Sequence, residues 1–402
     1  MPDAWGQGPW AVRLNFLLHT YRCPMPTRLR FRSAAVFVVA GGLIVSALVA
    51  PRAQTAPVGQ AAGTASAPVT LPTRLTDAEF WKLSSEFSEP NGSFRSDNLL
   101  SNEIWFQYLV PELKAYLPSG GVYLGVGPEQ NFTYIAALEP RMVIIFDIRR
   151  GNMHTHLMYK ALFELSSNRA EFAAMLFSRQ KPAELTKDST VQQIFTALAA
   201  APTSQERYKE NLKRITDHLT KTHALPLLPE DLAGIDYVYG NFHYFGPGIN
   251  YNSSSNGGGG RGAMSTYASL MTATDGAGVS RSYLANEALF AVMKDLHTKN
   301  LLVPVVGDFA GPKAIRSVGK YLKAANATVT AFYLSNVEQY LTQNQVWQSF
   351  CNNFASLPLN EKSTFIYSQN GGGGGGGGGL NSFYRPMLAD VKAYNCVGGD
   401  PK

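Results

Sequence analysis

The sequence predicts an α/β protein built on a mostly parallel sheet with helices on both faces. Three features carry this expectation. The apolar runs Met142–Phe146 and Leu301–Val306 show no polar alternation, as strands covered on both faces do. Both runs end in polar residues, Asp147 after the first and Gly307-Asp308 after the second. Helical periodicity, rather than a hairpin turn, separates the strand candidates.

The elements follow in order. Thr76-Asp77-Ala78-Glu79 is a capping-box pattern ahead of Phe80, Trp81 and Leu83, so a helix begins there. A second helix is expected from about Asn102 to Tyr116, where Ile104, Trp105, Tyr108, Leu109 and Leu113 recur at helical spacing. Gly121–Leu124 reads as a short strand running into Gly125-Val126-Gly127-Pro128. A helix over Asn131–Leu138 and the strand Met142–Phe146 follow. Residues 152–224 are mainly helical in pattern, and Ile235–Tyr239 reads as a further short strand. From Gly240 to Gly278 the chain turns to Gly, Asn, Ser and aromatic residues, which reads as a long loop. Ser282–Lys299 returns to helix. Leu301–Val306 is a strand containing Pro304, which deletes a ladder donor. A helix over Lys313–Ala324, a strand over Thr328–Leu334 and a helix from Val337 complete the pattern.

This order divides the chain into an extension with a leader (1–53), a flexible Ala/Pro/Thr/Gly linker (54–72), and an α/β domain (73–350) with an insertion at 152–290. A C-terminal segment (351–402) contains the glycine run Gly371–Gly379. No internal repeat is visible.

Composition is that of a globular chain: of 402 residues, 45% are apolar and 16% charged. The net charge of +6 is concentrated at the start. Arg13, Arg22, Arg28, Arg30, Arg32 and Arg52 face only Asp3 before residue 54, which leaves the body close to neutral. A body without a basic surplus is not built to neutralise phosphates, so no nucleic-acid partner is expected. Arg28, Arg30 and Arg32 stand directly before the uncharged run Ala34–Ala50. That is the pattern of a secretory signal, or of a membrane anchor if it stays uncleaved. Either outcome makes the protein exported, periplasmic or extracellular, with membrane contact only through an uncleaved leader. Met25 makes a better signal start than Met1. In an oxidising compartment Cys351 and Cys396 either form a disulfide or remain separate thiols.

The chemistry-bearing pattern is strand, Gly125-x-Gly127, helix, strand, Asp147. The glycines permit a tight turn and close approach of a ligand to the backbone, and the helix start offers free N–H groups. Asp147 follows Gly127 by about 20 positions, where an acidic residue can accept from ribose hydroxyls. The third glycine of the dinucleotide fingerprint is missing. Glu129 in the loop would also repel a pyrophosphate, which argues against NAD or FAD, whereas a cationic sulfonium tolerates it.

On these residues the chain resembles the Rossmann-like class I methyltransferases, over about residues 120–150 and 300–341. The resemblance implies S-adenosylmethionine as cofactor, held by Gly125, Gly127, Glu129 and Asp147, with Asp308 and Phe309 near the adenine. Asn336, after the strand ending at Leu334, would face the substrate as the catalytic position. The family's usual acidic residue two positions before the first glycine is replaced by Tyr123. The chain also looks like exported bacterial proteins of the same arrangement that carry no assigned reaction.

Each of these residues has a structural alternative. The glycines can simply make a tight turn, and Asp147 can cap the next helix or pair with Arg149 or Arg150. Asp308 can be a turn residue, and Asn336 an N-cap. His154 and His156 alternate, but the helical pattern around them splays them apart, and His243 sits in an aromatic stretch, so no metal site is expected. No nucleophile elbow, His-Glu-x-x-His or P-loop is present. Two functions stay open: a methyltransferase-like enzyme acting on a small-molecule ligand, and a non-catalytic exported protein that uses the same scaffold to bind another ligand or an envelope partner.

Overall fold

The computed structural model describes residues 70–254, 264–370 and 380–398. The leader, most of the linker and the nine-glycine run lie outside the described residues. No helix among the described residues is long and apolar enough to cross a membrane.

Helix α1 (Asp77–Phe87) opens with the expected capping box, in which Thr76 and Glu79 exchange hydrogen bonds. Helix α2 (Phe106–Tyr116) begins later than its periodicity suggests. Strand β1 (Val122–Val126), helix α3 (Gln130–Leu138) and strand β2 (Met142–Asp147) form the β-loop-α-β unit. The insertion then supplies α4 (Arg150–Leu165), α5 (Arg169–Leu176), α6 (Val191–Ala200) and α7 (Gln205–Asp217). A π-helical turn, His218–Thr222, extends α7. Helices α8 (Pro229–Phe245), α9 (Tyr267–Thr272) and α10 (Glu287–Thr298) complete the insertion. Strand β3 (Leu302–Val306), α11 (Ala314–Ala324), β4 (Val329–Ser335), α12 (Val337–Gln343) and α13 (Trp347–Ala355) follow. The chain closes with β5 (Thr364–Asn370), β6 (Leu380–Pro386) and α14 (Met387–Ala393).

The sheet order is β3-β2-β1-β4-β5-β6, parallel throughout except for β6, which pairs antiparallel with β5. This α/β architecture is compatible with a Rossmann-like fold, whose strand order reverses direction beside the first strand. Every residue of β2 and β3 is buried, as the unbroken apolar runs require. Pro304 is accommodated because β3 is the edge strand, and α1 covers that edge: Ser84 Oγ donates to the Pro304 carbonyl at 2.6 Å.

Three expectations are corrected. Ile235–Tyr239 is not a strand but the middle of α8. Its buried residues Ile235, Val238, Tyr239 and Phe242 recur at helical spacing, and that period overrides the β-leaning residue types. The loop expected from Gly240 shortens accordingly, because α8 runs to Phe245 and α9 interrupts the remainder. The sheet also extends past residue 350, since β5 and β6 come from the C-terminal segment. Cys351 and Cys396 are joined in a disulfide with Cα atoms 5.2 Å apart, which ties the chain end to α13.

Candidate functional site: a cleft at the carboxyl ends of the strands

In an open parallel sheet, ligands bind outside the carboxyl ends of the strands, where the strand order reverses. Here that point lies between β1 and β4, and a cavity of about 430 Å³ opens there. The volume is that of a small-molecule site. Its walls come from the tips of four strands: Val126–Pro128 after β1, Asp147 at β2, Gly307–Phe309 after β3, and Tyr333, Ser335 and Asn336 at β4. The segment around Phe94, Arg95 and Asn98 closes one side, and α12 with Tyr340 and Leu341 closes the other.

The glycine loop is held from below. Asn131, in the first turn of α3, donates through Nδ2 to the carbonyls of Val126 (2.9 Å) and Pro128 (2.8 Å) and accepts from the Tyr123 hydroxyl at 3.0 Å. Tyr123 therefore has a structural task at the position where the resemblance leads one to expect an acid. Gly125 does not reach the cleft: a Cβ there would collide with Asn131 Oδ1 and lie 2.9 Å from the Tyr123 ring. Gly127 is different. Its φ of +76° is left-handed, a Cβ would meet nothing within 4 Å, and it lines the cleft. Its N–H donates to Phe146, and its carbonyl receives buried His156 Nε2 at 2.9 Å, which locks the tips of β1 and β2 together.

Glu129 is placed by the structure away from the cavity. It is fully buried at the N-cap of α3, and neither carboxylate oxygen has a hydrogen-bond partner. Desolvation raises its pKa from 4.5 to about 8. Burial thus favours the neutral form of the acid. Glu129 is not among the residues lining the cavity, so it makes no direct contact with a ligand there.

Asp147 lines the cleft beside Gly127, but its carboxylate is already engaged. Arg149 donates Nε to Oδ1 (3.0 Å), Nη2 to Oδ2 (2.9 Å) and its backbone N–H to Oδ1 (2.9 Å). Arg149 Nη1 reaches the Ser96 carbonyl at 2.8 Å, so the fork also anchors the loop that walls the cavity. Of a carboxylate's four or so acceptor sites, about one is left for a ligand. Arg150 turns elsewhere, to Asp231, which also meets His154.

Asp308 and Phe309 both line the cleft. Asp308 Oδ1 accepts from the Ala310 amide, a turn role that occupies one of its two carboxylate oxygens. Phe309 stacks on Phe350 at 5.4 Å and meets Phe146 edge-on. The start of α11, where an anion would bind, is filled by Glu89: its carboxylate accepts from the amides of Asp308, Lys313 and Ala314. Asn336 occupies the N-cap position of α12, yet its side chain makes no capping bond, and the residue lines the cavity.

Sequence reasoning missed Glu103. This fully buried carboxylate accepts from Gln130 Nε2, Tyr333 Oη and Ser335 Oγ, each at 2.6 Å. It thereby fixes Ser335, a non-glycine residue at φ +50°, beside the cavity. No local signal marks Glu103, because its partners come from α3 and β4. Ser335, which lines the cleft, thus has its hydroxyl tied to the buried Glu103 carboxylate.

A family model described as a domain of unknown function (DUF7790) matches residues 99–227 and 251–373. The chain belongs to this family. The DUF7790 match takes in Glu103, the glycine loop, Asp147, Asp308 and Asn336, and leaves out Phe94, Arg95 and β6. No curated protein matches the chain.

Proposed function

We propose that this DUF7790 protein is an exported, methyltransferase-like protein whose cleft binds a nucleoside-type cofactor of the S-adenosylmethionine class. The observation that carries the reading is convergence: Gly127, Asp147, Asp308, Phe309 and Asn336 share one cavity of about 430 Å³ at the reversal of strand order. The fit is good for a nucleoside. Gly127 leaves open backbone for close approach, Phe309 offers an apolar wall, and Asp308 lines the cavity. It is poorer for a triphosphate or other multiply charged anion, because Glu89 fills the start of α11.

When bound, such a cofactor supplies an electrophilic methyl group. The protein's part is orientation: Asn336 lies on the β4 side of the cavity, and Phe94 and Tyr340, which meet edge to face at 5.1 Å, form part of its wall. Export is supported by the basic-then-apolar leader and by the Cys351–Cys396 disulfide.

A second reading keeps the ligand class and drops the reaction. The Asp147–Arg149 fork favours it, because a carboxylate engaged three times has little left for a ribose diol. Calorimetric titration with S-adenosylmethionine and S-adenosylhomocysteine tests the ligand. Micromolar binding, weakened at least 10-fold by Asp308→Ala and abolished by Asn336→Trp with melting temperature retained, is expected. Absence of binding by both ligands at millimolar concentration would refute the cofactor assignment.

A further inference from the structure

The end of the sheet away from the cleft carries a separate constellation. Glu164, in the last turn of α4, is largely buried, its side chain 8% exposed. Its Oε2 meets two imidazoles at once, His218 Nε2 at 2.6 Å and His223 Nε2 at 2.5 Å. The ligand atoms of these residues all lie within 4.8 Å of one another.

The backbone is shaped for this convergence. In an α-helix, residues five apart point about 140° away from each other. The π-helical turn His218–Thr222, closed by the His223 N–H to the His218 carbonyl at 3.0 Å, brings the two histidines onto one face. Their rings stand at 89° with centroids 4.8 Å apart, so both Nε2 atoms reach a common point without stacking. Single π turns are rare and concentrate at functional sites.

The surroundings complete a ligand set. His223 Nδ1 faces Asp77 Oδ1 at 2.6 Å, and that oxygen also accepts from Asn300 Nδ2 at 2.8 Å. Both ring nitrogens of His223 therefore face carboxylate oxygens, Nδ1 toward Asp77 and Nε2 toward Glu164. With the Nδ1 proton kept on Asp77, loss of the Nε2 proton on metal binding would leave a lone pair aimed at Glu164, where an ion would take the proton's place. A carboxylate holding the outer nitrogen of a histidine is the usual support of a metal ligand. Lys160 Nζ holds the other Glu164 oxygen at 2.6 Å, and is itself fixed by the His297 carbonyl and Asn300, which leaves Oε2 as a single, oriented donor.

We propose that Glu164, His218 and His223 form a binding site for a zinc-type divalent metal ion, with Asp77 orienting His223. Two imidazole nitrogens and one carboxylate oxygen suit zinc and its neighbours, not magnesium or calcium, which favour all-oxygen shells. Bonds of about 2.0–2.2 Å require the donors to part slightly from their present hydrogen-bonded spacing. The side chains of His218 and His223 are 15% and 11% exposed, so an ion and a fourth, water ligand have access from solvent. The site is independent of the cleft.

The full chain, stripped with a chelator and free of any histidine tag, is titrated with zinc and, separately, with cobalt(II). One ion per chain at micromolar or tighter Kd is expected, with a visible cobalt absorption band and no competition from millimolar magnesium. His218→Gln and His223→Gln, which keep size and hydrogen bonding, each weaken binding at least 100-fold with unchanged circular dichroism. Asp77→Asn weakens it about 10- to 100-fold without changing the stoichiometry. Failure to bind zinc, or full retention of zinc by the His218→Gln/His223→Gln double variant, would overturn the site.

Discussion

The cleft and the histidine cluster occupy opposite ends of the same sheet and are assembled in different ways. The cleft takes its residues from strand tips: Gly127 follows β1, Asp147 ends β2, Asp308 follows β3 and Asn336 follows β4. The cluster takes Glu164 from the end of a helix, two histidines from a π turn and Asp77 from the start of α1. A parallel sheet places successive strand ends side by side whatever lies between them, so a site at strand tips is encoded in short segments. A site formed where helices meet depends on the packing of an insertion with no fixed spacing.

Substitutions sharpen this comparison. The largest effect is expected at Glu129, the buried acid beneath the glycine loop. Its folded pKa of about 8 stands above its unfolded 4.5, so the folded state holds a proton that the unfolded chain has lost. Stability therefore declines as pH rises between those values, by a few kcal/mol in total. Thermal melts of Glu129→Gln at pH 5 and pH 8 should show a smaller difference than wild type. An equal difference in both proteins would mean that the acid is ionised or hydrated in the folded state.

The disulfide comes next. Reduction of Cys351–Cys396 should cost about 2–4 kcal/mol in denaturant unfolding, and alkylation without reductant should add no mass at either cysteine. Gly125→Ala should destabilise by about 1–3 kcal/mol through overpacking against Asn131. Gly127→Ala should cost roughly 1–2 kcal/mol from its left-handed backbone but should also weaken cleft ligands, because its Cβ would stand in the cavity wall. Equal ligand affinity in both glycine variants would remove Gly127 from the binding surface.

What was legible in the sequence follows the same division. The buried runs Met142–Phe146 and Leu301–Val306, the glycine turn and the strand-end polar residues each declare themselves within a few positions, and the sheet is built from them. Ile235–Tyr239 misled because β-branched and aromatic residues also suit the buried face of a long helix; only a window reaching Phe242 exposes the helical period. Glu129 misled because its direction, inward or outward, is set by the first turn of α3 and not by its residue type. Asp147 showed its partner alternatives in advance, since Arg149 and Arg150 adjoin it, but the choice of Arg149 depends on Ser96 and Asp231 taking the remaining donors. Glu103 and the Glu164–His218–His223 cluster left no trace, because each gathers partners from segments far apart in the chain.

The most direct measurement is hydrogen–deuterium exchange on one preparation, read with S-adenosylhomocysteine alone and with zinc alone. The nucleoside should slow exchange at the Gly127 turn and the Phe94–Asn98 wall, and zinc should slow it at the His218–His223 turn, neither affecting the other region. Protection absent from the Gly127 turn at saturating nucleoside would contradict the cleft as the ligand site.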